Sequence, residues 1–374
     1  MTTASNEGVV TPTVTAFTDT YLPTVNGVTY TVSSWRDRWV DRGGRMDVVY
    51  PGSSYDPDMG EYPVGSVAFP FYDGFRLGLP RIPHSVRDVD VVHAHTPFSL
   101  GLAAHRLARQ EGLPLVVSYH TPTAEYAEYV APTWATSLVS KASQRYESWY
   151  LDRADLVLTP SESTAETVRT FTDTPVESHS NGVDVSFFRP TFPNAFVRRH
   201  DIPTDRPIVG YTGRHGFEKN LDAILEAAVD LDVTVLLGGD GPARASLEAT
   251  AEELGIDAIF LGFLDREELP EFYTALDVFA FPSPVETQGL VALEAIACGT
   301  PVVAVDSGAL SHTVTDGETG FHFEPDDVGD FRETILHALR AGDSLTRRCL
   351  QRRAEISLER SIDRLESTYR RVLE

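Results

Sequence analysis

Lysine is nearly absent from this 374-residue chain. Only Lys141 and Lys219 occur, which leaves 29 arginines among the 31 basic residues. The 55 acidic residues give a formal net charge of −24, and such self-repulsion must be screened by salt. This charge balance predicts that the protein works in the salt-rich cytosol of a halophile. It argues against nucleic acid as a partner, because affinity for nucleic acid comes mainly from Lys and Arg at phosphates.

Cysteine and long apolar runs are also scarce. Cys298 and Cys349 are too few for a disulfide framework in a chain of this length, and neither belongs to a C-x-x-C pair. No apolar run approaches the roughly 18 residues of a membrane span, and the first ten residues lack a signal pattern. We therefore expect a cytoplasmic protein, at most peripheral to the inner face of the cell membrane.

Short apolar runs alternate with amphipathic stretches along nearly the whole chain, which is typical of parallel βαβ units. The pattern predicts an α/β protein with two doubly wound parallel sheets in tandem, in keeping with about 150 residues per domain. Ligands of such sheets bind beyond the carboxyl ends of the strands, so two facing edges would form a cleft. The expected boundaries are a first domain at 1–187, a linker at 188–206, a second domain at 207–355, and a C-terminal helix at 356–374 that packs back on the first domain.

The predicted elements follow from these periodicities. Predicted strands are Val9–Phe17, Arg45–Tyr50, Asp90–His93, Leu115–Ser118, Leu156–Thr159, Val176–His179, Ile208–Tyr211, Thr234–Leu237, Ile259–Leu261, Val278–Phe281 and Val302–Val305. Predicted helices are Thr29–Arg42, Phe98–Gln110, Thr133–Asp152, Ser161–Thr170, Leu221–Ala228, Ala243–Leu254, Glu267–Leu276, Leu290–Cys298 and Ser361–Leu373.

Two glutamates eight positions apart form the most informative motif. Glu286 lies in a loop after a predicted strand, and Glu294 lies about one turn into the helix that opens near Gly289. Helix amino termini accept phosphate, and eight positions span at most about 12 Å, which brackets a diphosphate. Carboxylates accept hydrogen bonds from sugar hydroxyls, so one glutamate would hold a ribose and the other a transferred sugar. The alternative is a plain helix with two solvated glutamates.

A glycine-rich loop with two cations follows the first predicted strand of the second domain. Gly213 permits close backbone approach to a ligand, and Arg214 and Lys219 supply positive charge for a departing diphosphate. In a chain that has nearly abandoned lysine, this position suggests a function that arginine cannot serve. The alternative is a local ion pair between Lys219 and Glu218.

Two stretches of the first domain follow predicted strands and are expected on the ligand side of their sheet. Gly27 precedes a helix whose free N–H groups suit an anion, and Asp19 and Asn26 belong to the same loop. His120 follows another strand, where an imidazole can bind a sugar hydroxyl or handle a proton. The alternatives are a plain Asn-Gly turn and a structural histidine.

Two further sequence patterns suggest a dinucleotide-binding loop and a zinc site, and neither is complete. Gly238 to Pro242 suggests a dinucleotide fingerprint, but Arg244 occupies the third glycine position, which disfavours hydride transfer. His93 and His95 lack a partner at zinc-ligand spacing. We expect neither a metal nor a cofactor, because the two cations of the glycine-rich loop would neutralise a diphosphate.

Taken together, these motifs resemble the retaining family 4 glycosyltransferases of the GT-B fold. Each shared segment is weak alone, but six in family order across nearly the whole chain are specific. The segments are Pro23 to Val28, Tyr119-His120-Thr121, Asn181 to Asp184, Gly213-Arg214 with Lys219-Asn220, Gly239 to Pro242, and Glu286 with Glu294. The resemblance implies that a hexose moves from a nucleoside diphosphate sugar, the co-substrate, to a hydroxyl acceptor. It also implies retention at the anomeric carbon and no metal.

The resemblance implies roles for individual residues. Arg214 and Lys219 would hold the diphosphate, Glu294 the ribose and Glu286 the hydroxyls of the donor sugar. The catalytic set is His120, near the C6 hydroxyl of that sugar, with Arg214, Lys219 and Glu286. The donor-binding set adds Gly27 from the first domain and Gln288, Gly289, Leu290 and Glu294. Phe263 and Leu264, after a second-domain strand, are where we expect the base, uracil or guanine.

Departures from the family pattern point to the acceptor. Many relatives carry two glycines in place of Asn26-Gly27, and an aromatic in place of Gln288. The first departure resembles a lipid-directed branch that makes glycosyl glycerolipids. The segment Tyr119-His120-Thr121 with Tyr126 and Tyr129 is similar to its diacylglycerol glucosyltransferases. The acceptor-side set is therefore Asp19, Asn26, His120 and Tyr126.

Two apolar features of the first domain fit a lipid acceptor and a peripheral membrane contact. One is the aromatic segment Phe69 to Arg81, and the other is a helical face with Trp134, Leu138, Lys141, Arg145 and Trp149. Core packing explains both equally well. We expect a glycerolipid acceptor such as archaeol or a glycosyl-archaeol. The alternatives are assembly of a polysaccharide or protein glycan on a polyprenyl-linked sugar, a nucleotide-sugar epimerase on the same fold, and a non-enzymatic carbohydrate-binding role.

Overall fold

The structure is a computed structural model that describes residues 11–68, 76–120 and 136–374, the first five of the last range by backbone alone. It divides into two compact units. Unit 1 comprises Met1–Pro160, Ala165–His179 and Ser361–Glu374, and unit 2 comprises Ser161–Thr164 and Ser180–Arg360. Each unit is an α/β layer structure around its own parallel sheet, which confirms the predicted fold class.

The sheet of unit 1 has seven parallel strands in the order β3-β2-β1-β6-β7-β8-β9. The bounds in unit 1 are β1 Val14–Phe17, β2 Met46–Pro51, β3 Glu61–Val64, β4 Ser66–Ala68, β5 Arg76–Gly78, β6 Val91–Ala94, β7 Leu115–Ser118, β8 Leu156–Thr159 and β9 Val176–Ser178. β4 and β5 pair antiparallel, outside this sheet. The central strands are buried along their whole length, so they are continuous apolar runs rather than alternating ones.

The sheet of unit 2 has six parallel strands in the order β12-β11-β10-β13-β14-β15. Their bounds are β10 Ile208–Thr212, β11 Thr234–Gly238, β12 Ala258–Gly262, β13 Val278–Phe281, β14 Val302–Val305 and β15 Gly320–Phe323. β10 pairs with β13, where the strand order reverses, and a doubly wound sheet binds its ligands beyond the carboxyl ends of that pair. In unit 1 the corresponding reversal lies between β1 and β6.

Helices cover the faces of both sheets. Their bounds are α1 Gly27–Asp41, α2 Ser99–Glu111, α3 Thr136–Leu151, α4 Glu162–Arg169, α5 Asn194–Arg199, α6 Asp222–Ala228, α7 Arg244–Leu254, α8 Leu269–Ala275, α9 Leu290–Ala297, α10 Leu310–Thr313, α11 Val328–Arg352 with a kink at Gly342, and α12 Leu358–Val372. Within the described ranges, none of these helices has the length and hydrophobicity that crossing a membrane requires. Cys298 and Cys349 are free and buried.

The segment at 188–206 differs from the expected linker. It contains α5, and Phe188, Phe196 and Ile202 are buried in the hydrophobic core of unit 2. The four prolines from Asp184 to Pro207 suggested an extended connection, yet Pro193 directly precedes the first helical residue, where proline does not disturb a helix. The three apolar side chains therefore decide the structure of this segment.

The last helix belongs to unit 1 and is held there by buried polar contacts. The Tyr369 hydroxyl lies 2.6 Å from His93 Nδ1, and its ring packs edge-on against Trp39 at 5.4 Å. Ser361 Oγ lies 3.2 Å from His179 Nε2. Because these polar atoms are removed from water, each contact also satisfies a group that would otherwise be costly to bury.

We expect Tyr369→Phe to lower the unfolding free energy by about 1–3 kcal/mol, because the buried His93 Nδ1 loses its partner. Arg371→Gln on the same helix is the matched control. It breaks an exposed ion pair with Glu177 and should cost less than about 1 kcal/mol. Denaturant titration measures both, and equal losses would contradict the importance of the buried contact.

Candidate functional site

The loops that follow β10 and β13 carry the two main predicted motifs of unit 2. The loop after β10 includes a short 3-10 helix at Phe217–Lys219, and the loop after β13 leads into α9. Both loops leave the carboxyl edge of the sheet at neighbouring strands. The topology therefore brings together residues that are about 70 positions apart in the sequence, Lys219 and Glu286.

Lys219 and Glu286 form an ion pair. The ammonium Nζ donates to Glu286 Oε1 at 2.7 Å, and each side chain is 17% exposed. Glu218 instead pairs with Arg214, four positions earlier. The local pair between Lys219 and Glu218 is thus not the one that the structure forms. Both predicted cations of the diphosphate site are held by carboxylates at the sheet edge.

The glycine-rich segment after β11 shapes the loop that carries these cations. Gly239 has a φ of +106°, and a Cβ there would lie 1.9 Å from the carbonyl oxygen of Gly213. His215 N–H donates to the Asp240 carbonyl at 2.8 Å, which ties the two loops together. The segment that failed as a dinucleotide fingerprint therefore has a packing role, because only glycine permits this approach.

The amino terminus of α9 is open. Its N-cap is Gly289, with a φ of +76°, and no side chain caps it. The first turn carries no acidic residue, so the partial positive charge of the N-terminus is not offset locally. A Cβ at Gly289 would lie 2.7 Å from Leu310 Cδ2, which restricts this position to glycine. A helix N-terminus with no side-chain cap and no acidic residue in its first turn suits an anion, which agrees with the expectation for Gly289 and Leu290 but does not test it.

Gln288 is buried, and its side chain is occupied within unit 2. Its Nε2 donates to Ser180 Oγ at 2.6 Å, and its Oε1 accepts from Asn181 N–H at 3.3 Å. Its carbonyl oxygen accepts from Thr313 Oγ1 at 2.6 Å. The side chain of Gln288 anchors the turn into α9. A nucleotide-sugar ligand could therefore contact this residue only through its backbone N–H.

Glu294 is half-buried on α9. Tyr273 donates its hydroxyl to Glu294 Oε2 at 2.7 Å. Burial raises the pKa of Glu294 to about 7. The hydrogen bond from Tyr273 and the charge of Arg266 lower the pKa, but their effect is smaller than that of burial. The carboxylate therefore changes its charge near neutral pH.

Phe263 and Leu264 follow β12 and differ in their surroundings. The Phe263 ring is 70% exposed, whereas Leu264 is buried in the core of unit 2. An exposed phenyl ring can stack on a base, and the buried leucine supports the loop that presents it.

In unit 1, the structure gives Asp19 and Asn26 structural partners. Asp19 is buried, accepts from Ser99 Oγ at 2.8 Å and Leu100 N–H at 3.1 Å, and so caps α2. Asn26 Oδ1 accepts from Thr29 N–H at 2.9 Å and caps α1. These predicted acceptor-side groups thus hold the two helix starts. Gly27 is exposed at the start of α1.

His120 is buried at the end of β7 and contacts a second histidine. Its Nε2 lies 3.0 Å from His95 Nδ1, and the two rings meet edge to edge with nearly parallel planes and centroids 5.3 Å apart. Burial lowers the pKa of His120 to about 4, so the ring is neutral at physiological pH. Sequence reasoning considered His95 only as a zinc ligand and missed this contact.

Some of the predicted acceptor-side and membrane-facing residues lie outside the part of the chain that the structure describes. Tyr126, Trp134 and most of the segment Phe69 to Arg81 lie outside the described residues. Across the ranges that the structure describes, no three His, Cys, Asp or Glu side chains are grouped so that they could hold a metal ion.

Comparison with known families gives matches to both halves of the chain. The model described as Glycosyltransferase Family 4 matches residues 25–187, and the model described as Glycosyl transferases group 1 matches residues 194–355. The GDP-mannose-dependent alpha-mannosyltransferase of Mycolicibacterium smegmatis is 31% identical over 325 residues, which cover 82% of this chain and 83% of that protein.

Two further likenesses extend over most of the chain. The alpha-monoglucosyldiacylglycerol synthase of Streptococcus pneumoniae is 28% identical over 386 residues, covering 94% of this chain and 84% of that protein. The crystal structure of Anabaena HepE in complex with UDP and glucose superposes with a TM-score of 0.74 at 18% identity, covering 96% of this chain and 99% of that one. This last likeness concerns the fold alone.

We expect Glu294→Gln to stabilise the protein increasingly as the pH rises from about 5 to about 8. The folded-state pKa of about 7 exceeds the ordinary value of 4.5, so the contribution of Glu294 to stability is present at low pH and lost as the pH rises through 7. Thermal unfolding across this range measures the difference, with the exposed Glu248→Gln as control. A difference from wild type that does not change with pH would contradict the raised pKa.

Proposed function

The chain belongs to glycosyltransferase family 4 and has the predicted GT-B fold, and from this premise we propose that it moves a hexose from UDP- or GDP-hexose to a glycerolipid hydroxyl. As a member of this family it is a hexosyltransferase that uses a nucleotide sugar. The main support for binding of the nucleotide-sugar donor is the ion pair of Lys219 with Glu286 beside the uncapped amino terminus of α9.

The donor diphosphate is proposed to bind between the cation loop and α9. Lys219 and Arg214 already lie at the sheet edge, each paired with a carboxylate. An arriving diphosphate would take over these cations and accept from the N–H groups at Gly289 and Leu290. Glu286, released from Lys219, would then accept from hydroxyls of the donor sugar. Before the donor binds, the ion pair would thus keep Lys219 in position for the diphosphate and Glu286 in position for the sugar hydroxyls.

The nucleoside is proposed to extend toward Glu294 and β12. Glu294 is half-buried, and a ribose hydroxyl that donates to it would favour its ionised form. The exposed ring of Phe263 supports base stacking at the end of β12.

For the transfer itself we propose front-face attack with retention. The acceptor hydroxyl oxygen bonds to the anomeric carbon as the bond to the diphosphate oxygen breaks, and the acceptor proton goes to that diphosphate oxygen. Positive charge from Arg214 and Lys219 stabilises the leaving group, which is the main electrostatic aid and requires no metal. His120, neutral because it is buried, is proposed to bind a hydroxyl of the donor sugar, and Gly27 to contact the diphosphate.

The acceptor assignment rests on unit 1 and on one relative, which is named a monoglucosyldiacylglycerol synthase. α2 and α3 expose four cationic side chains, Arg106, Arg109, Lys141 and Arg145. Trp149 on α3 is 44% exposed, and Arg153 lies 3.8 Å over its ring. In a chain with a net charge of −24, this combination of cations and an amphipathic aromatic favours a peripheral contact with anionic lipid.

The net charge supports a further part of the proposal. Fifty-five acidic residues suit a halophile's cytosol, where salt screens their repulsion. Archaeol and glycosyl-archaeol are glycerolipids of halophilic archaea, and we propose them as acceptors.

Incubation with UDP-hexose or GDP-hexose and membrane lipid at high KCl should yield a glycolipid with the donor's anomeric configuration. Thin-layer chromatography, mass spectrometry and NMR of the product measure this. Conversion of only water-soluble or polyprenyl-linked acceptors would contradict the glycerolipid assignment. Conversion of the donor sugar without any acceptor would indicate an epimerase.

Lys219→Ala and Glu286→Gln should each lower kcat about 100-fold or more, because each removes a group that acts on the departing diphosphate or the sugar. Lys219→Arg should retain more activity than Lys219→Ala, since it keeps the charge. Arg206→Ala breaks an ion pair with Asp257 elsewhere in unit 2 and is the control. Steady-state kinetics on variants with checked unfolding temperatures measure the effect, and unchanged turnover in Lys219→Ala would refute the assignment.

A further inference from the structure

We propose that His95 is a positioning residue for the transfer reaction, because its Nδ1 bonds His120 Nε2 and so fixes the tautomer that His120 presents to the substrate. The inference rests on the proposed function, in which His120 meets the donor sugar. It assigns a role to a buried histidine that the sequence motifs left unexplained.

The contact between the two rings is close and well oriented. His95 Nδ1 and His120 Nε2 are 3.0 Å apart, and the ring planes differ by 12°. Both side chains are buried, so water does not compete for these nitrogens. One nitrogen must donate and the other accept, because two bare lone pairs or two N–H groups at this distance would repel.

Three neighbours hold His95 in place, one through its backbone and two against its ring. Its own backbone N–H donates to the Phe17 carbonyl at 2.8 Å, which fixes the end of β6 against β1. The Trp35 ring lies edge-on to the His95 ring at 5.9 Å, and the His93 ring lies 4.1 Å from it. His95 therefore acts as a rigid partner, which is what a positioning residue requires.

His93 cannot replace His95 in this role. Its Nδ1 lies 2.6 Å from the Tyr369 hydroxyl and its Nε2 lies 2.8 Å from Ser118 Oγ, so both ring nitrogens are occupied. The contact with His120 belongs to His95 alone among the described residues.

The consequence for His120 follows from its neutrality. Burial lowers the pKa of both His95 and His120, so each ring carries one proton. If His95 donates, His120 carries its proton on Nδ1 and presents a donor; if His95 accepts, His120 presents a bare Nδ1 acceptor. Nδ1 of His120 makes no hydrogen bond with any part of the chain that the structure describes, so it is the nitrogen left for a sugar hydroxyl.

The test compares two substitutions of His95. In His95→Asn the amide can still bond at the position of Nδ1, whereas His95→Leu fills the space and removes the bond. Tyr369→Phe is the matched control, because it removes a buried hydrogen bond to His93 in the same cluster and keeps the aromatic ring, and Tyr369 bonds neither His95 nor His120 among the described contacts. The tautomer of His120 is read from imidazole 15N chemical shifts in protein labelled with 15N-histidine, and kcat and KM are measured for transfer.

We expect one His120 tautomer in wild type and His95→Asn, and a mixture in His95→Leu. Turnover in His95→Leu should fall about tenfold in kcat with little change in the KM for the donor, and His95→Asn should restore most of it. Tyr369→Phe should lower the unfolding temperature and leave the tautomer of His120 unchanged. An unaltered tautomer in His95→Leu, or equal kcat losses in the Asn and Leu variants, would overturn the proposal.

Failure of the proposed function gives a different result. If wild type transfers no sugar from any donor, or if His120→Ala transfers as fast as wild type, the proposed function is wrong. The 15N shifts are measured without substrate, so they still decide whether His95 sets the tautomer of His120.

Discussion

The ion pair between Lys219 and Glu286 is the interaction on which the account of this protein depends. A chain with a net charge of −24 repels a polyanion, so a diphosphate can bind only where positive charge is concentrated and held in place. In the proposed donor site, the pairing of β10 with β13 provides that place, because it brings the two loops to the same edge of the sheet. The glycine at the start of α9 adds free N–H groups without adding side-chain charge.

Unit 1 uses a different physical device. Its titratable groups near the ends of β6 and β7 are histidines that burial keeps neutral. Neutral rings cannot neutralise a phosphate, but they can bind hydroxyl groups with a defined direction of donation. In the proposed function, charge in unit 2 serves the diphosphate of the nucleotide sugar and the neutral His120 of unit 1 serves a hydroxyl of its hexose.

Much of the fold could be predicted because buried parallel strands are continuous apolar runs. The predictions for Leu115–Ser118 and Val278–Phe281 agree with the structure to the residue. The short β3 was missed because it contains Glu61 and Pro63, which are untypical of central strands. The candidate site was predicted by motif and position, but side-chain direction was not. Neither spacing nor composition reveals that the amide of Gln288 turns toward Ser180.

Hydrogen exchange measured by mass spectrometry tests most directly whether unit 2 binds the donor at this edge. The account predicts that a nucleoside diphosphate hexose at high KCl slows exchange in peptides covering 213–220 and 285–294, and that Lys219→Ala abolishes this protection. Protection confined to other segments, or protection that persists unchanged in Lys219→Ala, would contradict the account.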